Sequence, residues 1–313
     1  MQLPRWLCGV LPVLLFLLVV PTTQSATAQI YWIEAPEFAP PWTGHTPEFG
    51  DLDGDGDYDL IYAVVTQSYR NVGSPSLPSW QQDDSLVDGV EYVGSMTTCL
   101  ADLDADGDLD LSVGMLYGEA CPLFYYENVG SATQPVWQQQ NSMYESLSPG
   151  AWTCPELADL DDDGDLDLLL AVEWGLRAYR NTGTAELPSW IRDDGLADGI
   201  SLPYPCSDPN LGDLDGDGDL DLVIGGRSYG SPIMCYENSG STQNPTWVEN
   251  ESMLTGVERD VECLGLDLAD LDGDGDLDML SCQSENGRVI HLNQGSVTPV
   301  EPSSWGRIKE LFR

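Results

Sequence analysis

Basic side chains are scarce in this chain of 313 residues. Eleven Lys and Arg and two His stand against 53 Asp and Glu, a formal net charge of −42. Phosphate contacts depend on Lys and Arg, so a nucleic-acid partner is excluded, and attraction to an anionic membrane surface goes with it. Histidine is limited to His45 and His291, and no C-x-x-C occurs, which argues against zinc. The P-loop and H-E-x-x-H are missing, so the commonest NTPase and metalloprotease signatures are absent. The long apolar run Leu7–Val20 holds only about 14 residues, short of the roughly 20 that a membrane span needs.

That run follows Arg5 and precedes Ala26-Thr27-Ala28, the order of a secretory signal with an A-x-A cleavage site. Residues 1–28 are therefore expected to be a signal peptide. The mature chain starts near Gln29, is secreted or attached to the cell surface, and keeps no transmembrane segment. Seven cysteines remain in it: Cys99, Cys121, Cys154, Cys206, Cys235, Cys263 and Cys282. Export permits disulfides, and pairs such as Cys99–Cys121, Cys206–Cys235 and Cys263–Cys282 are open. The odd count leaves at least one thiol unpaired within a monomer.

What the chain has in excess is aspartate, concentrated in one nine-residue pattern. It occurs five times, at Asp51–Asp59, Asp102–Asp110, Asp159–Asp167, Asp213–Asp221 and Asp270–Asp278. These five stretches hold 26 of the 53 acidic residues. Like charges so close repel by several kcal/mol at moderate effective dielectric, so a cation is expected. Positions 1, 3 and 5 turn inward in such a loop, a Gly at position 6 permits the sharp turn, position 7 offers a carbonyl, and position 9 closes the shell. Hard oxygen ligands on a flexible loop suit Ca²⁺ better than Mg²⁺. The candidate metal residues are Asp51, Asp53, Asp55, Asp57 and Asp59; Asp102, Asp104, Asp106, Asp108 and Asp110; Asp159, Asp161, Asp163, Asp165 and Asp167; Asp213, Asp215, Asp217, Asp219 and Asp221; and Asp270, Asp272, Asp274, Asp276 and Asp278. An EF-hand would need Glu at loop position 12. That position holds Tyr62, Val113, Leu170, Ile224 and Ser281 instead, and the sequence after each loop is strand-like.

The loops start 51, 57, 54 and 57 residues apart, which means a repeat architecture. Each unit repeats the same parts. A short segment ending in Gly or Ala leads into the loop (strand A), as in Glu48-Phe49-Gly50. An apolar run such as Leu168–Val172 follows it and reads as a strand buried on both faces (strand B). A third segment ends in Asn-x-Gly, as in Asn71 and Gly73 (strand C). A fourth centres on P-x-W, at Trp80, Trp137, Trp190 and Trp247 (strand D). The exception is Ile30–Glu34, which looks like a strand D with nothing before it. The expectation is an all-β, five-bladed β-propeller of four-stranded blades over residues 29–295, closed by this N-terminal strand, with Trp32 completing the last blade. A monomer is expected. Residues 296–313 depart from the repeat and read as a tail for sorting or attachment.

The D-x-D-x-D-G-x-x-D loops, the Phe49-Gly50 pair and the Y/F-x-N-x-G segments resemble the FG-GAP and VCBS repeats of integrin-α-like propellers, over nearly all of residues 30–295. The resemblance implies that each A–B loop holds one Ca²⁺, about five in all, through positions 1, 3, 5 and 9 and the position 7 carbonyl. Five blades differ from the seven of integrin-like rings.

The repeated tryptophans read as structural. Aromatics outside the repeat are better ligand candidates. Strand parity puts the B–C and D–A connections on one face, which would collect Trp42, Tyr92, Tyr117, Trp152, Trp174, Tyr204, Arg227 and Tyr229 as a platform for a saccharide or peptide. The same aromatics also suit plain loop packing. The function expected is a secreted or surface module that binds an extracellular glycan or protein. The alternatives are a purely structural surface protein, or a carbohydrate-active enzyme, lyase or glycosidase, using a carboxylate pair such as Glu119 and Glu173.

Overall fold

The computed structural model describes residues 29–41, 46–62, 67–74, 76–91, 96–116, 122–140, 142–173, 175–202, 207–226, 232–283 and 287–297. The expected signal segment and most of the C-terminal tail, with Trp305, lie outside these residues. Twenty strands form five separate four-stranded antiparallel sheets. The N-terminal strand β1 is Gln29–Glu34. Blade 1 is β2 (Pro47–Gly50), β3 (Asp59–Tyr62), β4 (Gln67–Asn71) and β5 (Trp80–Gln82). Blade 2 is β6 (Met96–Ala101), β7 (Asp110–Met115), β8 (Phe124–Asn128) and β9 (Trp137–Gln140). Blade 3 is β10 (Cys154–Ala158), β11 (Asp167–Val172), β12 (Gly175–Asn181) and β13 (Trp190–Arg192). Blade 4 is β14 (Ser207–Gly212), β15 (Asp221–Gly226), β16 (Met234–Asn238) and β17 (Trp247–Glu249). Blade 5 is β18 (Cys263–Ala269), β19 (Asp278–Gln283) and β20 (Gly287–Val297), with β1 as its outer strand.

This is the expected propeller, and the chain closes its ring as expected. β1 pairs with β20, from Gln29 opposite Val297 to Glu34 opposite His291. Strand C of the last blade thus runs two residues beyond Gly295. Strands β3, β11 and β15 are buried along their whole length, as their apolar runs required.

The repeated tryptophans are inter-blade staples. The Trp137 indole N–H donates to Leu86 O at 2.8 Å, in the turn that leads out of the preceding blade. Trp80, Trp190 and Trp247 make the same bond to Phe38, Met143 and Leu196. Trp32, 1% exposed, supplies the fifth to Met253 at 2.6 Å. A buried indole needs such an acceptor, and each one locks a sheet to its neighbour.

The inner strands close a second ring. β2, β6, β10, β14 and β18 touch one another in turn around the axis. Their inner-edge N–H groups would be orphans at a heavy cost, but each blade supplies an acceptor to the next. Glu48 Oε1 accepts from Leu100 N (2.7 Å), the Cys99 sulfur from Leu157 N, and Glu156 Oε1 from Leu211 N (2.9 Å). Asp208 Oδ2 accepts from Leu266 N (3.0 Å), and Asp267 Oδ2 returns to Phe49 N (2.5 Å). Glu48, Cys99, Glu156 and Asp267 all stand three residues before their loops; blade 4 has Asn210 there and uses Asp208 instead.

The suggested Cys263–Cys282 disulfide is not formed. Cys99, Cys154, Cys235, Cys263 and Cys282 are all buried thiols. Cys263 faces blade 4 and Cys282 faces blade 1, on opposite sides of one sheet, so their sulfurs cannot meet. Cys235 packs its sulfur 3.8 Å from that of Met253. Pairings of Cys99 and Cys235 with Cys121 and Cys206 fail likewise, since both described partners are thiols; Cys121 and Cys206 lie outside the described residues.

Candidate metal centres and axial carboxylates

Each A–B loop builds the same small cage. Positions 4 and 6 have left-handed backbones, with Gly54 at φ 69° and Gly56 at φ 92° in the first loop. Position 6 is Gly in every loop, whereas position 4 is Ala105 (φ 58°) in the second and Asp162 (φ 56°) in the third. The two turns aim successive N–H groups at the first aspartate. Asp51 Oδ1 accepts from Gly54 N (2.7 Å) and Asp55 N (3.1 Å), and its Oδ2 from Gly56 N (3.0 Å).

Three carboxylates converge in every loop, with one oxygen from each lying within 4.8 Å of the others. They are Asp51, Asp53 and Asp59; Asp102, Asp104 and Asp110; Asp159, Asp161 and Asp167; Asp213, Asp215 and Asp221; Asp270, Asp272 and Asp278. Position 5 (Asp55, Asp106, Asp163, Asp217, Asp274) is exposed and outside each trio, its Oδ1 accepting the N–H of position 7. The position 7 side chains (Asp57, Asp108, Asp165, Asp219, Asp276) also stand outside it. Buried carboxylate oxygens without a partner occur in four of the loops, on Asp53, Asp108, Asp161, Asp165 and Asp219. An orphaned buried carboxylate oxygen is costly, and a hard cation is the partner that such a donor set fits.

Position 9 is fully buried and serves the fold as well. Asp59 Oδ1 accepts from Asn71 N (2.8 Å) and its Oδ2 from Leu52 N (3.1 Å). Burial still pushes Asp59 up to about 7, and Asp110, Asp167, Asp221 and Asp278 to about 6, 7, 8 and 7. The asparagine continues the chain of bonds, Asn71 Oδ1 accepting from Gly73 N (3.0 Å) and Ser79 N (2.9 Å) in the C–D turn. Asn128, Asn181 and Asn238 repeat this, and Asn293 Oδ1 accepts from Gly295 N. Sequence reasoning saw these asparagines only as turn markers. Their recurrence two residues before a Gly, always after a loop aspartate, was the signal. Gly73 is required there because a Cβ would stand 2.3 Å from Leu77 O.

The loops differ in one neighbour. Arg70 in β4 pairs with the loop residue Asp53 and, through Nε, with Asp83 (3.1 Å). Arg180 in β12 pairs in the same way with Asp161 and Asp193. Blades 2 and 4 invert the charge. Glu127 and Glu237 occupy the arginine position and accept from the Gln140 and Asn250 amides (2.8 and 2.6 Å). Blade 5 has the buried Leu292. Counter-ion and extra carboxylate therefore alternate around the ring.

Around the axis, the inner-ring carboxylates also lie close together. Burial first, then repulsion from Asp267 and Glu156, holds Glu48 well above the usual carboxylate range. Burial, reinforced by neighbouring acids, pushes Glu156 and Asp267 up to about 8. The folded chain thus holds protons that the unfolded chain releases, so this contribution to stability is complete below about 4.5 and is lost as pH rises through about 8. In calcium-saturated protein, Glu156→Gln is expected to raise the melting temperature at pH 8 by a few °C and to flatten its decline between pH 6 and 8.5. Parallel melting profiles for the two proteins would refute the reading that Glu156 keeps its proton in the folded chain.

The two ends of the ring are distinct. The Thr242 hydroxyl of a C–D turn donates to the loop residue Asp162 (3.1 Å), placing those turns with the acidic loops. Glu173 N donates to Ala151 O (2.9 Å), joining a B–C connection to a D–A connection at the opposite end. Of the ligand platform expected there, Trp152 is described: it is half-buried, with a left-handed backbone at φ 58°. Trp42, Tyr92, Tyr117, Trp174, Tyr204, Arg227 and Tyr229 lie outside the described residues, as does Glu119, while Glu173 is exposed. No helix among the described residues is long and apolar enough to cross a membrane.

Residues 159–224 and 213–281 match the FG-GAP-like repeat family, each match running from one acidic loop through the next. No curated protein is detectably similar in sequence. Among solved structures, a thermostable family-43 glycoside hydrolase aligns at 11% identity and TM-score 0.50, over 80% of this chain and 88% of its own. A lectin of Agrocybe aegerita, described as recognising non-reducing terminal N-acetylglucosamine, aligns at 20% identity and TM-score 0.40, over 78% of this chain. This chain spans only 62% of that lectin.

Proposed function

We propose that this chain, a five-bladed propeller carrying FG-GAP-like repeats, is an exported calcium-binding module that recognises a glycan. The observation that carries the reading is the carboxylate trio repeated once per blade at one end of the ring. Asp51, Asp53 and Asp59, and their counterparts in the other blades, would hold the ion. Bound Ca²⁺ neutralises the loop and pins strands A and B together. With calcium at one end, the opposite end is left to the irregular connections. Those connections carry aromatic and polar residues in the mixture that suits saccharide binding, and loops on a rigid scaffold are where recognition concentrates. Export fits the N-terminal segment, and the strongly acidic surface suits a secreted or surface-held module.

A glycan array probed with the calcium-loaded protein tests this. Binding to a defined glycan class is expected. Replacing Trp42, Trp152 and Trp174 together by Ala should abolish it without changing the melting temperature. An array with no bound glycan would overturn the aromatic platform as a glycan site, and undiminished binding by the triple variant would move the site elsewhere.

A further inference from the structure

Blade 5 breaks the repeat at a buried position. Two residues before the repeated asparagine, blades 1 to 4 carry Tyr69, Tyr126, Tyr179 and Tyr236, while blade 5 carries His291. In blade 4 the tyrosine has a defined task. Its hydroxyl donates to Ser201 O at 2.8 Å and accepts from Ser201 N, tying strand C to the incoming D–A connection. Tyr126 meets Glu91 in the corresponding connection. The residue at that place for blade 5 is Glu258, two residues after Gly256 just as Ser201 follows Gly199, both glycines having φ 104°. An imidazole is too short to fill the room of a phenol.

A cavity of about 320 Å³ lies there, lined by His291, Glu258, Glu34, Gln283, Arg288 and Pro36 among others. His291 is 0% exposed, and neither of its ring nitrogens has a partner. The Nε of Arg288 is likewise buried and unpartnered. Glu34, Pro36 and Glu258 are exposed and form the mouth. Leaving a buried polar atom unpaired costs about 1–3 kcal/mol, so three orphan nitrogens at one cavity mark a place built for an occupant.

We propose that this cavity is a binding site for one neutral monosaccharide unit, with His291 at its floor. The chemistry selects the class. Burial holds the imidazole at about 4, so it is neutral, with one nitrogen to donate and one to accept. Arg288 adds donors, and Glu34 and Glu258 add acceptors. Hydroxyl groups, which donate and accept, match that mixture. Anions meet two carboxylates against one guanidinium. A metal cation would need converging ligand atoms, and among the described residues only the five acidic loops bring three such groups together. The volume sits at the low end of the roughly 300–1,000 Å³ typical of ligand pockets, room for a single sugar ring. This inference deepens the glycan-binding reading by naming a subsite in blade 5.

The test uses the calcium-loaded full chain with glucose, galactose, mannose, fucose and N-acetylglucosamine, read by saturation-transfer NMR and by calorimetry. At least one sugar is expected to bind with a millimolar dissociation constant and to shift the His291 side-chain nitrogen resonances; the chain has only two histidines. His291→Tyr restores the residue of the other blades, so it should keep or raise the melting temperature while binding falls at least tenfold. Arg288→Gln, which leaves the histidine in place, should weaken binding by a similar factor. No signal from any of the five sugars, or equal binding by both variants, would overturn the proposal. The outcomes separate from those of the array: array binding lost in the tryptophan variant but intact in His291→Tyr would sink the blade 5 subsite alone, and sugar binding at His291 with an empty array would sink the platform alone.

Discussion

Calcium removal is expected to lower the melting temperature by more than about 15 °C, and titrating the ion back should resolve two classes of site rather than five equal ones. The first part follows from charge. With no ion, each loop holds three carboxylate oxygens within 4.8 Å of one another, and like charges at such distances repel by several kcal/mol at moderate dielectric. An ion present at about a hundred times its dissociation constant stabilises by roughly 2.7 kcal/mol per site, and each kcal/mol is worth about 2–4 °C in a domain of this size. The second part follows from the alternation of neighbours. Arg70 and Arg180 already place a guanidinium on Asp53 and Asp161, so a calcium ion there must displace or face a resident cation. Glu127 and Glu237 add negative charge near the loops of blades 2 and 4; their repulsion reaches Asp104 and Asp215. Ligand charge tunes calcium affinity over orders of magnitude. Blades 2 and 4 should therefore bind most tightly, blade 5 next, and blades 1 and 3 at least about tenfold more weakly. Calorimetric titration of the calcium-free protein checks this. Arg70→Ala and Arg180→Ala should convert the weak sites to tight ones while lowering the melting temperature of the calcium-free form. Unchanged melting on chelation, or five equivalent sites, would contradict the argument.

Deleting Ile30–Glu34 is the other change expected to have a large effect. It removes two fully buried side chains, Ile30 and Trp32. It also removes the indole bond to Met253 and the bond from Trp32 N to Thr255 O (3.0 Å). Truncating a buried Trp alone typically costs about 3–5 kcal/mol. The deletion further bares the edge of β20, a row of unpaired backbone groups ready to pair with another chain. Light scattering after size exclusion should show oligomers or aggregates, and the remaining folded protein should melt well below the intact chain. Trp32→Ala, which keeps the strand, should lose stability without the aggregation. A truncated protein that stays monomeric and equally stable would show that the ring closes some other way.

The period, the loops and the closing strand were all legible in the sequence. Each rests on residues close together in the chain: the aspartate spacing, the left-handed glycine at position 6, the buried apolar run after the loop. The orphaned D-like strand around Trp32 was legible because it matched a part that the last repeat lacked. Most of what stayed hidden around the axis involves residues about fifty or more positions apart. Glu48, Glu156 and Asp267 looked like ordinary charges on short strands until neighbouring blades brought the Leu100, Leu211 and Phe49 N–H groups to them. Their common place, three residues before each loop, was a signal left unused. Opposite faces of one sheet also ruled out the Cys263–Cys282 pairing, which spacing alone had left open.

By itself, then, the sequence determined what one repeat is: a hairpin around an acidic loop, an asparagine turn and a tryptophan edge, five times over, with the first strand kept for the last blade. Those parts follow from local backbone geometry and short-range charge, which the chain carries wherever it goes. Only the tertiary structure decided how the repeats differ. The raised carboxyls around the axis depend on one sheet facing the next, whereas the guanidinium of Arg70 beside Asp53 and the cavity beneath Glu258 depend on how the strands and connections of one blade fold onto each other. In the last blade a single departure from the repeat, histidine in place of tyrosine at position 291, alters a space enclosed by its own strands and the connection that enters it.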